Sequence, residues 1–139
     1  MNLIAVFAEN RPGQTALVTK CLAGAGVNIR WVTIANSGSF GVMKFLVDKI
    51  EPAEGALRAQ GMMVARLPIM AVEVENRPGA LHAVAECLAQ ADLNLDNCSG
   101  FVANNRAILI VEARKLEEAE RTARAQGLKV LSEEELMGL

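Results

Sequence analysis

The sequence predicts an α+β fold built twice in tandem, as two βαββαβ units whose antiparallel sheets carry both helices on one face. Three observations predict it. The segment Glu9-Asn10-Arg11-Pro12-Gly13 recurs as Glu75-Asn76-Arg77-Pro78-Gly79, an offset of 66 residues. That offset holds without a gap from Ala5/Ala71 to Val64/Val130, with 22 identities in 60 pairs. Within each copy, short β-branched runs alternate with segments of helical periodicity, separated by Gly, Pro and Asn clusters. The repeat boundary falls at Pro68, giving domains 1–67 and 68–139.

Each element follows from its own residues. Leu3 to Ala8 is a short apolar run and reads as a buried strand. Pro12-Gly13 punctuates the chain, with the proline presetting φ near a helix start. Leu17, Val18, Cys21, Leu22 and Ala25 then recur at helical spacing, and Gly24 and Gly26 suit the helix end. Val27 to Ala35 is rich in β-branched residues and reads as a second strand, closed by the turn Asn36-Ser37-Gly38-Ser39. Gly41 to Asp48 forms a third strand, Pro52 opens a second helix reaching about Ala59, and Met62 to Leu67 is a fourth strand. The second copy repeats the order: strand Ile69–Val74, helix Ala80–Ala91, strand Leu93–Val102, strand Ala107–Ala113, helix Leu116–Gln126 and strand Leu128–Leu131. Ser132 and Glu135 have capping-box spacing, which predicts a short terminal helix. The simplest packing of this order is a ferredoxin-like sandwich.

A unit of about 66 residues buries only about 60% of its extended-chain surface, so two in one chain are expected to share buried surface. The strands are apolar on both faces, so the helix-free face is expected to be covered by the sister unit or a second chain. A homodimer is the expected assembly.

Composition narrows the function. Of the 139 residues 52% are apolar and 22% charged, which is globular rather than disordered. The net charge of −2, from 14 basic and 16 acidic residues, lacks the basic field of a nucleic-acid grip. The βαββαβ order also occurs in RNA-recognition modules, but those need aromatic residues on the central strands. Only Phe7 and Phe45 qualify, and neither has an aromatic equivalent in the second copy. No run reaches the length of a membrane span, and the first residues do not read as a signal peptide, so a cytoplasmic location is expected. One histidine and three cysteines without Cys-x-x-Cys spacing leave no metal site. No nucleophile or acid–base constellation emerges, so no catalytic residue, enzyme activity or cofactor is expected.

The repeated Glu-Asn-Arg-Pro-Gly loop is the candidate site. A helix start presents unpaired N–H groups and a positive dipole end, which together cradle a carboxylate. Glu9 and Asn10 beside it offer acceptors to an ammonium group. Together these describe a receptor for a free amino acid. The same residues also make an ordinary helix-entry turn, and from the loop alone both readings stand.

Asn-Arg-Pro-Gly, an apolar helix and then Gly-Val-Asn-Ile at 26–29 resemble an ACT domain. The second copy adds Asn-Arg-Pro-Gly-Ala-Leu and Asp-Leu-Asn-Leu at 92–95, so the resemblance covers nearly the whole chain as two tandem copies. It implies a regulatory module that binds an amino acid at an interface between ACT domains. The ligand would rest on the loop after the first strand, with a partner domain's second strand closing the site. Carried over, the first site comprises Glu9, Asn10, Arg11, Pro12, Gly13 and Gln14, and the second Asn76, Arg77, Pro78, Gly79, Ala80 and Leu81. Asn28 and Ile29, or Asn94 and Leu95, are the closing-strand candidates. The family often has Asp where this chain has Asn10 and Asn76; Glu9 and Glu75 are then the nearest source of negative charge. The alternative partner is a metabolic enzyme, with the chain as a regulatory subunit similar in kind to the small subunit of acetolactate synthase. The copies differ at Gln14/Ala80, Ala16/His82, Arg30/Asp96, Trp31/Asn97 and Gly38-Ser39-Phe40/Asn104-Asn105-Arg106. The two sites are therefore expected to be unequal, and Gln14 favours the first.

Overall fold

A computed structural model describes residues 1–139, and the chain divides into two compact units, Asn2–Leu67 and Pro68–Leu139 with Met1. The N-terminal unit runs β1 (Asn2–Glu9), α1 (Gln14–Gly24), β2 (Ile29–Ser37), β3 (Phe40–Val47), α2 (Ile50–Ala59) and β4 (Met63–Pro68). Its sheet order is β2-β3-β1-β4. The C-terminal unit runs β5 (Met70–Val74), α3 (Ala80–Gln90), β6 (Asn97–Ala103), β7 (Arg106–Glu112), α4 (Leu116–Ala125), β8 (Lys129–Leu131) and α5 (Glu133–Met137), with sheet order β6-β7-β5-β8. Each unit is a ferredoxin-like α+β sandwich. No helix is long and apolar enough to cross a membrane.

Side-chain periodicity builds each core. Along β1 and β3, Ile4, Val6, Met43, Phe45 and Val47 alternate onto one sheet face. They meet Val18 and Leu22 of α1 and Ala53 and Leu57 of α2, each pair four residues apart on one helix face. Met70, Val72, Leu109 and Val111 meet Val84, Leu88, Ala119 and Ala123 in the same way. On the opposite sheet faces Leu3, Ala5 and Leu46 are also buried, as are Ala71, Ile108 and Ile110.

Pro12 lies just before the helix start, with Gly13 as the N-cap at φ 90°. Three local features differ from the sequence reading. Leu17, one of the helical apolar positions, is 50% exposed. The strand expected from Leu93 starts at Asn97, because Asp92 turns the chain at φ 55° and Leu93 is buried in the core as a connection. Asn97 already pairs with Glu112, the last residue of β7, so Leu93 to Asp96 has no ladder to join. Finally, β2 carries a bulge between Ile29 and Trp31, which pair with Val47 and Leu46; Arg30 is the extra residue. The capping box at Ser132 and Glu135 forms as its spacing predicts.

Candidate functional site

The loop from β1 to α1 is shaped by its backbone. Gly13 and Gly79, at φ 90° and 88°, hold a left-handed conformation that a Cβ disfavours. A Cβ at either position would enter open space, so the requirement is conformational rather than steric. The Gln14 N–H reaches the Arg11 carbonyl at 3.3 Å and the Leu17 N–H reaches that of Gly13 at 2.9 Å. No side chain caps α1, which leaves the Thr15 and Ala16 amides directed out of the helix start. The α3 start has the same form, with Ala80 bonded to Arg77 and Ala83 to Gly79.

Asn10 ties this loop to the neighbouring hairpin. Its side-chain amide donates to the Gly38 carbonyl at 3.1 Å, and its backbone N–H donates to that of Ser39 at 2.8 Å. An aspartate could not make the first of these bonds, which accounts for Asn at this position. Glu9 is exposed and ion-paired with Arg11 at 3.4 Å. In the second copy Glu75 pairs with Arg77, but Asn76 makes no counterpart bond; there Asn104 donates to the Leu139 carbonyl at 3.1 Å instead. The two hairpin turns differ as well. Asn104 and Asn105 both have positive φ, as a type I′ turn requires, whereas in the first turn only Gly38 does.

A half-open crevice of about 350 Å³ lies against the first loop. Glu9, Arg11 and Gln14 border it, and Phe7, Leu17, Phe40, Met62 and Met63 supply apolar wall. Such a volume is at the small end of the range for small-molecule sites, about 300–1,000 Å³. Phe7, Leu17, Phe40 and Met63 are exposed, at 44%, 50%, 66% and 70%. The corresponding hollow of the C-terminal unit, about 460 Å³, is lined by Glu73, Val74, Glu75, Asn76, Asn105, Arg106 and Lys129. Glu73 accepts from Arg106 and from Lys129, the latter at 2.8 Å, and these hydrogen bonds hold its pKa down to about 2. The bond to Glu73 raises the pKa of Arg106 in turn. Glu135, capped onto the Ser132 backbone, also has a lowered pKa and feels Lys129 and Arg106.

Within each unit the loop residues and the closing-strand candidates do not converge. Asn28 precedes β2, at the end of the sheet opposite the Glu9–Phe40 pair; its N–H donates to Asp48 Oδ1 at 2.8 Å. Ile29 packs against the core. Asn94 and Leu95 lie outside β6, where Asn94 donates to Asp96 at 3.2 Å and Leu95 joins the core. Leu81 is exposed, and Arg77, Pro78 and Ala80 flank the α3 start without entering the C-terminal hollow. Cys87 and Cys98 have thiol pKa values raised by burial, as suits packed side chains. His82 is exposed, 3.6 Å from Glu86.

Of the apolar wall, reading motifs missed Phe7 and Met63, although a signal was present. At the repeat offset Phe7, Phe40 and Met63 correspond to Glu73, Arg106 and Lys129, a concerted change from apolar to charged.

Comparison with known proteins places this geometry. The structure resembles that of the protein BT0572 from Bacteroides thetaiotaomicron, with a TM-score of 0.92 and 23% identity over 99% of this chain and 96% of that one. It also resembles the regulatory subunit of aspartate kinase from Thermus thermophilus, with a TM-score of 0.66 and 22% identity over 89% and 91%. The corresponding subunit from Thermus flavus gives 0.62 and 21% over 89% and 90%. At these identities the likeness is one of fold. No curated protein sequence matches significantly. The sequence matches the profile of the ACT domain pair over residues 1–139, and the chain belongs to that family of regulatory domains.

Proposed function

We propose that this protein is an amino-acid-binding regulatory module whose ligand sits on the loop between β1 and α1. The ligand carboxylate accepts from the Thr15 and Ala16 amides, its ammonium faces Glu9 and Gln14, and its side chain enters the crevice. A second strand from another ACT unit closes the site, as the family resemblance implies. The observation carrying this reading is the adjacency of an uncapped helix start to a small crevice with a polar border and an apolar wall. Each part alone is common; together they match the charged and uncharged ends of one small zwitterion.

A thermal-shift screen of the twenty amino acids tests it. A ligand at 100 times its dissociation constant adds about 2.7 kcal/mol to the stability of the state that binds it, so the melting temperature rises. If no amino acid shifts the transition or gives heat in titration calorimetry, the reading fails.

A further inference from the structure

Three positions change together between the two halves, and the fold places them side by side. β1 lies between β3 and β4, so Phe7, Phe40 and Met63 come from three adjacent strands and line one crevice. Their equivalents Glu73, Arg106 and Lys129 come from β5, β7 and β8 in the same arrangement, with Glu73 opposite Lys129 in register. One half presents two aromatic rings and a thioether to solvent; the other presents one carboxylate that holds two cations.

We infer that the two halves have different ligand chemistry: the N-terminal crevice selects an amino acid with an apolar side chain, and its C-terminal counterpart takes none. This rests on the proposed amino-acid binding. In the first half a ligand side chain gains by covering exposed Phe7, Phe40 and Met63, a gain proportional to the apolar area removed from water. A charged side chain there would lose hydration against the apolar wall, and the bordering Glu9 and Arg11 are already paired with each other. In the second half no apolar wall exists. Both cations are engaged by Glu73, so an anionic ligand must displace an internal partner, while Glu75 and Glu135 repel it. A cationic ligand meets Arg106 and Lys129. The chain therefore binds at most one ligand, and the duplication has left one sensing half.

Titration calorimetry on the full chain with leucine, methionine, phenylalanine, aspartate and lysine tests this, using wild type, Met63→Lys and Lys129→Met. Met63 is exposed, so its substitution leaves the core intact. The expected result is no more than one site per chain and preference for the apolar amino acids. Affinity should fall about tenfold or more in Met63→Lys and stay unchanged in Lys129→Met. Two sites per chain, a preference for aspartate or lysine, or equal affinity in Met63→Lys overturns the inference while leaving amino-acid binding standing. If Met63→Lys alters the oligomeric state by light scattering and affinity is retained, the patch is a subunit contact and the inference also fails. Silence with every amino acid overturns both this inference and the function it rests on.

Discussion

The side-chain amide of Asn10 donates to the carbonyl oxygen of Gly38, 28 positions further along the chain, and fastens the helix-entry loop to the β2–β3 turn. Because Asn76 makes no such bond, the two loops are held differently although their sequences match over five residues. Asn10→Ala and Asn10→Asp should both remove it, at about 0.5 kcal/mol for an exposed hydrogen bond. Asn76→Ala should cost less than either. Urea denaturation of the three variants checks the order, and ligand affinity should follow it if the loop must be held to bind.

Gly13 makes a sharper prediction. At φ 90° an alanine is strained by about 1–2 kcal/mol, although its Cβ meets nothing. The loop relieves that strain by re-aiming the first amides of α1. Gly13→Ala should therefore lower the melting temperature modestly and weaken ligand binding more than the stability loss explains. Gly79→Ala should give the same stability loss and leave binding unchanged.

Acid provides a separate handle on the C-terminal unit. The Glu73 carboxyl titrates at about 2 in the fold, against an ordinary value of 4.5. Its ion pairs therefore add stability that is complete above about 4.5 and is lost as pH falls through about 2. Wild type should exceed Glu73→Gln in stability above that window, and the two should converge near its lower end. Denaturant midpoints measured across pH 2 to 6 check the convergence; a difference independent of pH would show that the ion pairs are not its source.

Two phenylalanines on one strand should behave in opposite ways. Phe45 is fully buried among the α1 and α2 side chains, so Phe45→Ala should cost about 3–5 kcal/mol. Phe40 is 66% exposed at the crevice, so Phe40→Ala should leave the melting temperature nearly unchanged and reduce ligand affinity. Circular dichroism melts and calorimetry separate the two effects.

Much of the fold was legible because the repeat reports each element twice. Ile4, Val6, Phe45, Val18 and Leu22 announce their faces through spacing alone, and Met70, Val72, Val111, Val84 and Leu88 repeat them. The errors lie where local pattern and tertiary pairing compete. Leu93 looks like strand because it is apolar, yet a strand needs a partner, and β7 ends opposite Asn97. Leu17 looks like core because of its spacing, yet it borders the crevice. At the candidate site the sequence exposes the loop, which is contiguous, but not the meeting of Phe40 with Phe7 and Met63, which only the strand order brings about. Comparing the copies by chemistry rather than identity would have found it.

The inserted Arg30 has an experimental consequence. With Arg30 bulged out of the ladder, Trp31 lies opposite Leu46; had Arg30 itself paired with Leu46, the indole would stand opposite Phe45, inside the helix-covered layer. Trp31 is half-buried and is the sole tryptophan of the chain, so its emission reports on one edge of one half. Amide ellipticity averages over both halves. Recording the two signals during a single melt shows whether the duplicated halves come apart in concert or in succession, with no label attached.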